Sequence, residues 1–166
     1  MIEVSKLSSR YTVRVLTEAD AGEVIALCLG NPQYYEYAEA RPKLEQVVAD
    51  MRVTPPGVDA SRKYYVGFYE GDALVALMDL IDGYPADNVA YIGFFMMDAA
   101  YQGRGIGSAI VGEVAAYLKS IGKRSLRLGI DKENPQSNHF WKKNGFRVVK
   151  EVDRNGRALL VAERTL

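Results

Sequence analysis

The sequence is poor in the residues that announce several kinds of chemistry. Among 166 residues there is one cysteine, Cys28, one histidine, His139, and one tryptophan, Trp141. A lone cysteine excludes an internal disulfide. Cys28 sits in the apolar run Val24-Ile25-Ala26-Leu27-Cys28-Leu29, whereas a reactive thiol needs an electropositive, accessible setting, so it reads as buried and inert. Net charge is absent too: Lys+Arg and Asp+Glu number 21 each. Nucleic-acid binders show a basic excess or stripe, so no nucleic acid is expected as a partner. No apolar run approaches the ~20 residues that cross a bilayer, and Met1 to Lys6 shows no basic-then-apolar leader pattern. The expectation is a soluble, cytoplasmic protein with no membrane partner. With no linker, low-complexity tract or internal repeat, one domain over residues 1–166 is the default for this length.

What is present is periodicity. Tyr11 to Val15 alternates as a strand does. Thr17, Glu18 and Asp20 suit the start of a helix carrying Val24, Ile25, Leu27 and Cys28, and Gly30-Asn31-Pro32 ends it. Pro42 opens a second helix with Leu44, Val47, Val48 and Met51. Tyr64 to Tyr69 and Ala73 to Ile81 form a hairpin over Gly71-Asp72, and Val89 to Met97 is a further strand. A helix follows with Ile106, Ile110, Val114, Tyr117, Leu118 and Ile121 at helical spacing. Then come a strand over Ser125 to Ile130, a helix from Asn134 to Asn144, and two strands joined by the turn dipeptide Asn155-Gly156. The order β-α-α-β-β-β-α-β-α-β-β combines antiparallel hairpins with one β-α-β crossover, which must be parallel and right-handed. The class is α/β, with a mixed, mostly antiparallel central sheet.

One segment points to a ligand. Gln102-Gly103-Arg104-Gly105-Ile106-Gly107 lies between a predicted strand and a predicted helix. Glycines let the backbone approach a ligand closely, the helix start offers free N–H groups and the positive end of a dipole, and Arg104 adds a charge. Phosphate is the natural occupant. A P-loop requires Lys after the final glycine, but Ser108 and Ala109 follow. A dinucleotide fingerprint requires Gly or Ala at 108 or 110, which are Ser108 and Ile110.

The same segment resembles motif A of the GNAT superfamily of acetyl-CoA-dependent N-acyltransferases, Gln/Arg-x-x-Gly-x-Gly/Ala, through Gln102, Gly105 and Gly107. A second family motif is matched in spacing by Asn134, Ser137, Phe140, Trp141, Gly145 and Phe146. The resemblance runs from about Tyr11 to the end and is densest from Val89 to Val149. It implies a sheet with helices on both faces and acetyl-CoA as cosubstrate, with no metal. It further implies an amine acceptor that attacks the thioester directly through a tetrahedral intermediate, in a monomer or homodimer. The pyrophosphate would lie on the amides of Gln102, Gly103, Arg104, Gly105, Ile106, Gly107 and Ser108. The pantetheine arm would lie along Phe95-Met96-Met97, with Asn134 and Ser137 beside it and Phe140 and Trp141 walling the thiol end. The Met97 backbone N–H would face the thioester carbonyl, where a fixed donor aimed at a developing oxyanion is worth about 10²–10³ in rate.

The chain also departs from the family. Many relatives have, where Trp141 stands, a tyrosine that protonates the leaving thiolate. A thiol pKa of ~8.5 puts free thiolate only ~2 kcal/mol uphill at pH 7, so hydrogen bonding alone can serve, and Tyr35, Tyr37 or Tyr84 are substitutes. Some relatives carry a base on the strand before the loop, near Gly93, but no carboxylate occurs between Val89 and Met97. Asp79 and Asp82 are the nearest. Three residues apart on a strand, they point to opposite faces, and Asp82, beside Gly83-Tyr84, is the expected base. His139 is expected to be a surface or packing residue. The acceptor is expected among Tyr35, Glu36 and Tyr37, with Glu39, where a carboxylate among aromatics suits a cation. The primary expectation is transfer to the primary amine of a small molecule; a non-catalytic acyl-CoA-binding domain and a protein or peptide N-acetyltransferase are the alternatives.

Overall fold

A computed structural model describes residues 1–38 and 40–166; the expectation attached to Glu39 lies outside them. Seven strands and four α-helices follow in the order read from periodicity: β1 (Thr12–Val15), α1 (Ala21–Leu29), α2 (Leu44–Asp50), β2 (Lys63–Glu70), β3 (Ala73–Asp82), β4 (Val89–Met97), α3 (Ile106–Ser120), β5 (Ser125–Asp131), α4 (Pro135–Lys143), β6 (Arg147–Arg154) and β7 (Arg157–Thr165). The strands make one sheet in the order β1-β2-β3-β4-β5-β7-β6. Among the described residues only β4 and β5 run parallel, joined through α3. The final hairpin turns back so that β7, rather than β6, pairs with β5.

Local signals account for the boundaries. Thr17 and Asp20 form a reciprocal capping box, satisfying donors that a helix start would otherwise leave open. That start is a 3-10 turn over Glu18–Asp20, and α1 proper begins at Ala21. Asn134 caps α4 by accepting from the Ser137 N–H at 3.1 Å, with Pro135 in the first turn. Asn155 and Gly156 both have positive φ, 54° and 81°, as a two-residue hairpin turn requires.

The sheet buries both faces. Val66, Phe68, Met78 and Leu80 meet Ile110, Val114 and Leu118 of α3 and Trp141 of α4 on one side. Tyr65, Leu77 and Met96 meet Val24, Leu27 and Cys28 of α1 and Val47 of α2 on the other. From Ala76 onward, alternation along β3 sends even-numbered residues to α3 and odd-numbered ones to α1 and α2; Leu74 and Val75, at the register shift opposite Phe68 and Tyr69, take the reverse faces.

Candidate active site

β4 and β5 are paired only from Val89–Ser125 to Ile92–Leu128. Beyond that point β4 continues to Met97 and β5 to Asp131 without pairing to each other. This parting of the strands opens a cavity of about 1230 Å³ lined by both strands, by the start of α3, by α4 and by the segment between α1 and α2.

The hydrogen-bond phase of β4 determines what its backbone offers to the gap. Asp98 N–H donates to the Val75 carbonyl at 2.8 Å, which makes Asp98–Val75 a bonded antiparallel pair. By alternation Met96–Leu77 is the next bonded pair, while Met97–Ala76 and Phe95–Met78 are not. The N–H groups of Phe95 and Met97 therefore point away from β3, toward the gap. The Met97 carbonyl, on the same side, accepts from Asn31 Nδ2 at 3.0 Å and from Gln102 Nε2 at 3.1 Å, and Gln102 also donates to Asn31 Oδ1. Asn31 and Gln102 thus tie the end of β4 to the end of α1 and to the glycine loop. Nothing in the spacing of the sequence marked Asn31 beyond its place in a helix stop.

In the glycine loop, Gly103 and Gly105 take φ of 76° and 74°, a left-handed conformation that costs other residues about 1–2 kcal/mol. Gly105 caps α3, and Ala109 N–H to Gly105 O at 3.0 Å is the first backbone bond of the helix. The amides of Ile106, Gly107 and Ser108 are left open by helix geometry, and all three residues line the cavity. A Cβ on Gly107 would come 3.3 Å from Phe140 and 3.5 Å from Met97, so a side chain there would crowd the cavity wall. This cradle of open amides at a helix N-terminus fits a phosphate group. Arg104 departs from expectation: it donates to the Ala100 carbonyl at 2.6 Å and, among the described residues, stands outside the cavity lining.

The residues expected at the cofactor's thiol end are brought together. Phe95 and Phe140 stack with centroids 6.0 Å apart, and Trp141 lies 4.8 Å from Phe140, 5.9 Å from Phe95 and 5.1 Å from Phe146. Asn134, Ser137 and Met96 also line the cavity. The Asn134 side-chain Oδ1 is committed to the helix cap, accepting from the Ser137 N–H. His139 is exposed at the rim.

Two expected residues are displaced. Asp82 lies on the α3 face, paired with Lys123 and 3.4 Å from the Met1 ammonium, and is outside the cavity lining. Burial alone would raise its pKa, but the hydrogen bond and charge of Lys123, with the ammonium, outweigh it and hold the carboxyl below its ordinary value. It cannot serve as the base in the cleft. Glu36 is exposed and also outside the lining, although its neighbours Tyr35 and Tyr37 are within it. Tyr35 hydrogen-bonds Cys28, and burial followed by that bond pushes its pKa far up, which makes it a poor acid for a thiolate. Cys28 is buried, and burial raises its thiol pKa as well. Tyr84 lines the cavity edge-on to Tyr91, centroids 5.4 Å apart.

Asp79 takes the position expected for Asp82. It lines the cavity on the α1–α2 face, and its Oδ2 pairs with Lys63 Nζ at 2.8 Å, with both side chains largely buried at 14% and 4% exposure. The odd-even phase of β3, legible in the sequence, put the two aspartates on opposite faces; it did not say which face held the cleft.

Comparison with known proteins agrees with this geometry. The acetyltransferase (GNAT) family model matches residues 29–146. The spermine/spermidine N(1)-acetyltransferase of Bacillus subtilis is 29% identical over 101 residues, 58% of this chain. An uncharacterized N-acetyltransferase of Methanocaldococcus jannaschii is 26% identical over 160 residues, 87% of this chain. The chain spans 66% and 64% of the length of these two relatives. An acetyltransferase from Thermus thermophilus, known from its crystal structure, superposes with a TM-score of 0.75 at 27% identity, covering 93% of this chain and 96% of that one. The PaiA N-acetyltransferase of Thermoplasma acidophilum, solved in complex with coenzyme A, has a TM-score of 0.67 at 17% identity over 93% and 98% of the two chains, a likeness of fold.

Proposed function

Because the chain belongs to the acetyltransferase (GNAT) family, we propose that it transfers an acetyl group from acetyl-CoA to the primary amine of a small molecule by direct attack on the thioester. One observation carries the reading: the open amides at the start of α3 and the gap-facing N–H groups of Phe95 and Met97 share a single cavity. The first set suits a pyrophosphate. The second suits an extended pantetheine arm that pairs with β4 as a strand would, with a donor left for the thioester oxygen. When the amine adds, that oxygen gains charge, and a donor already in place stabilises it without reorganisation. Phe95, Phe140 and Trp141 exclude water from the thiol end. Trp141 offers an N–H but no acid, so the thiolate leaves with hydrogen-bond assistance and takes up a proton afterwards.

The acceptor side is aromatic and carries charges of both signs. Tyr65 and Phe94 are the register partners of Asp79, Tyr34 packs edge-on to Phe94, and the same cavity is lined by Asp50, by Asp131 paired with Arg157, and by Arg41 and Arg154. Asp79 between aromatic neighbours suits a compact cation, in keeping with the polyamine acceptors in the name of the Bacillus subtilis relative. The test is thiol release from acetyl-CoA across a panel of polyamines, amino-acid amides, aromatic amines and short peptides. Release with small amines, abolished by Gly107→Gln, is the expected result. Acetyl-CoA binding without release for any acceptor refutes the enzyme and favours a binding domain, while peptides exceeding every small amine refute the substrate class.

A further inference from the structure

We propose that Asp79 is the group that takes the proton of the acceptor's ammonium, through bound water, reaching from β3 into the space that a β4 side chain at position 93 would occupy; this rests on the acetyltransferase reading above. Gly93 is the extra residue of a β-bulge, since the β3–β4 register shifts between Asp79–Phe94 and Leu80–Ile92. Bulges re-aim side chains beside functional sites. A Cβ built on Gly93 would fall 2.5 Å from Asp79 Oδ2 and 3.1 Å from its Cγ. The glycine is therefore what allows the carboxylate to lie across β4 at this point, on a strand that carries no carboxylate from Val89 to Met97.

The surroundings distinguish a working carboxylate from a structural one. A buried ion pair that served packing alone would be expected to satisfy both oxygens. Here Lys63 Nζ holds Oδ2 at 2.8 Å, while the buried Oδ1 has no hydrogen-bond partner among the described residues. Lys63 and Tyr65 face the group from β2, and Asp50 acts on it from α2. Burial raises the Asp79 pKa, Lys63 opposes that, and the Asp50 charge adds to the rise. The net rise moves the carboxyl toward the working pH, where a general base is most effective.

At about 3.3 Å per residue, the Phe95 and Met97 amides lie roughly 7 and 13 Å along β4 from Gly93. The proton therefore travels through bound water rather than by direct contact. The acceptor R–NH₃⁺ gives one proton through that water to the Asp79 carboxylate, and the amine lone pair forms the N–C bond. The tetrahedral oxyanion collapses as the C–S bond breaks. The proton then shed by the new amide nitrogen goes to the thiolate, and Asp79 returns its own proton to solvent.

The test uses the whole chain with acetyl-CoA and the best amine of the panel. Lys63→Met/Asp79→Asn removes the carboxylate without leaving a lone buried cation, and acetyl-CoA thermal shift checks its fold and donor binding. The expected result is unchanged donor binding, a fall in kcat/KM of about 10²–10⁴, and loss of the acidic break in its pH profile. Lys63→Met alone is expected to move that break to higher pH, because the opposing charge is gone, and it decides the matter if the double variant fails to fold. Activity within threefold of wild type with the same profile in the double variant, or an unmoved break in Lys63→Met, overturns the assignment while leaving the acetyltransferase reading intact. A wild-type protein that binds acetyl-CoA yet acetylates no amine overturns both.

Discussion

Adding a single methyl group at Gly93 tests how closely the strand and the carboxylate are fitted. In most strands Gly→Ala is neutral or stabilises by about 0.4–1 kcal/mol, because it restrains the unfolded chain. Gly93 is not among the positive-φ glycines, so backbone strain does not alter that expectation. The clash does: the new Cβ would sit 2.5 Å from Asp79 Oδ2, 3.1 Å from Cγ and 3.6 Å from Cβ. The carboxylate must move by about an ångström to reach ordinary contact. Lys63, with 4% side-chain exposure, has little room to follow. Breaking a fully buried pair costs about 3–5 kcal/mol; Asp79 sits on a cavity wall at 14% exposure, so about 2–3 kcal/mol is the fitting figure. Set against the backbone gain, the net loss is about 1–2.5 kcal/mol, a fall in Tm of about 3–8 °C for a chain of this size. Thermal unfolding of Gly93→Ala, Asp79→Ala and the double variant measures it. Without the carboxylate the methyl has nothing to strike, so Gly93→Ala in the Asp79→Ala background should be neutral or stabilising, with a coupling of about 2 kcal/mol across the cycle. A rise in Tm for Gly93→Ala in the wild type, or equal effects in both backgrounds, would refute the reasoning.

Three further outcomes are expected. Acetyl-CoA at 100 times its dissociation constant should stabilise by ~2.7 kcal/mol, a Tm rise of about 5–11 °C, and Gly105→Gln, which forces a side chain onto φ of 74°, should abolish that rise. Asp82→Asn should destabilise at neutral pH by removing the ion pairs to Lys123 and Met1. Because the folded-state pKa of Asp82 is depressed, its contribution is present above the unfolded value of ~3.9 and lost as pH falls through the folded one; the gap between wild type and variant in denaturant melts should close below about pH 4, and a gap independent of pH would count against the pairing. Trp141→Ala should cost about 3–5 kcal/mol by leaving a cavity among Phe95, Phe140 and Phe146, whereas a loss under ~1 kcal/mol in urea unfolding would mean that the cluster repacks.

The order of elements was legible because it depends on neighbours in sequence. The apolar run from Val89 to Met97 specified β4 to the residue, and the caps Thr17 and Asn134 and the Asn155-Gly156 turn act within a few positions of themselves. The glycine loop was legible for the same reason: a helix N-terminus and the backbone conformations that glycine permits are local properties. So was the placement of Asp79 and Asp82 on opposite faces, which needs only the period of a strand.

Which of those faces holds the cleft is not a local property. It depends on where β4 and β5 part and on which helices cover each side, and these follow from packing between residues far apart in sequence. Asp82 meets Lys123, and Asp79 meets Lys63 and the empty place above Gly93. The tie of Asn31 and Gln102 to the Met97 carbonyl joins positions 31, 97 and 102, and no spacing rule connects them. By itself the sequence determined the strands, the helices and a cradle for phosphate, because hydrogen bonding and side-chain periodicity along one segment suffice for each. Only the tertiary structure decided which carboxylate faces the cavity, because that requires a side chain missing from one strand to make room for a charge carried by the next.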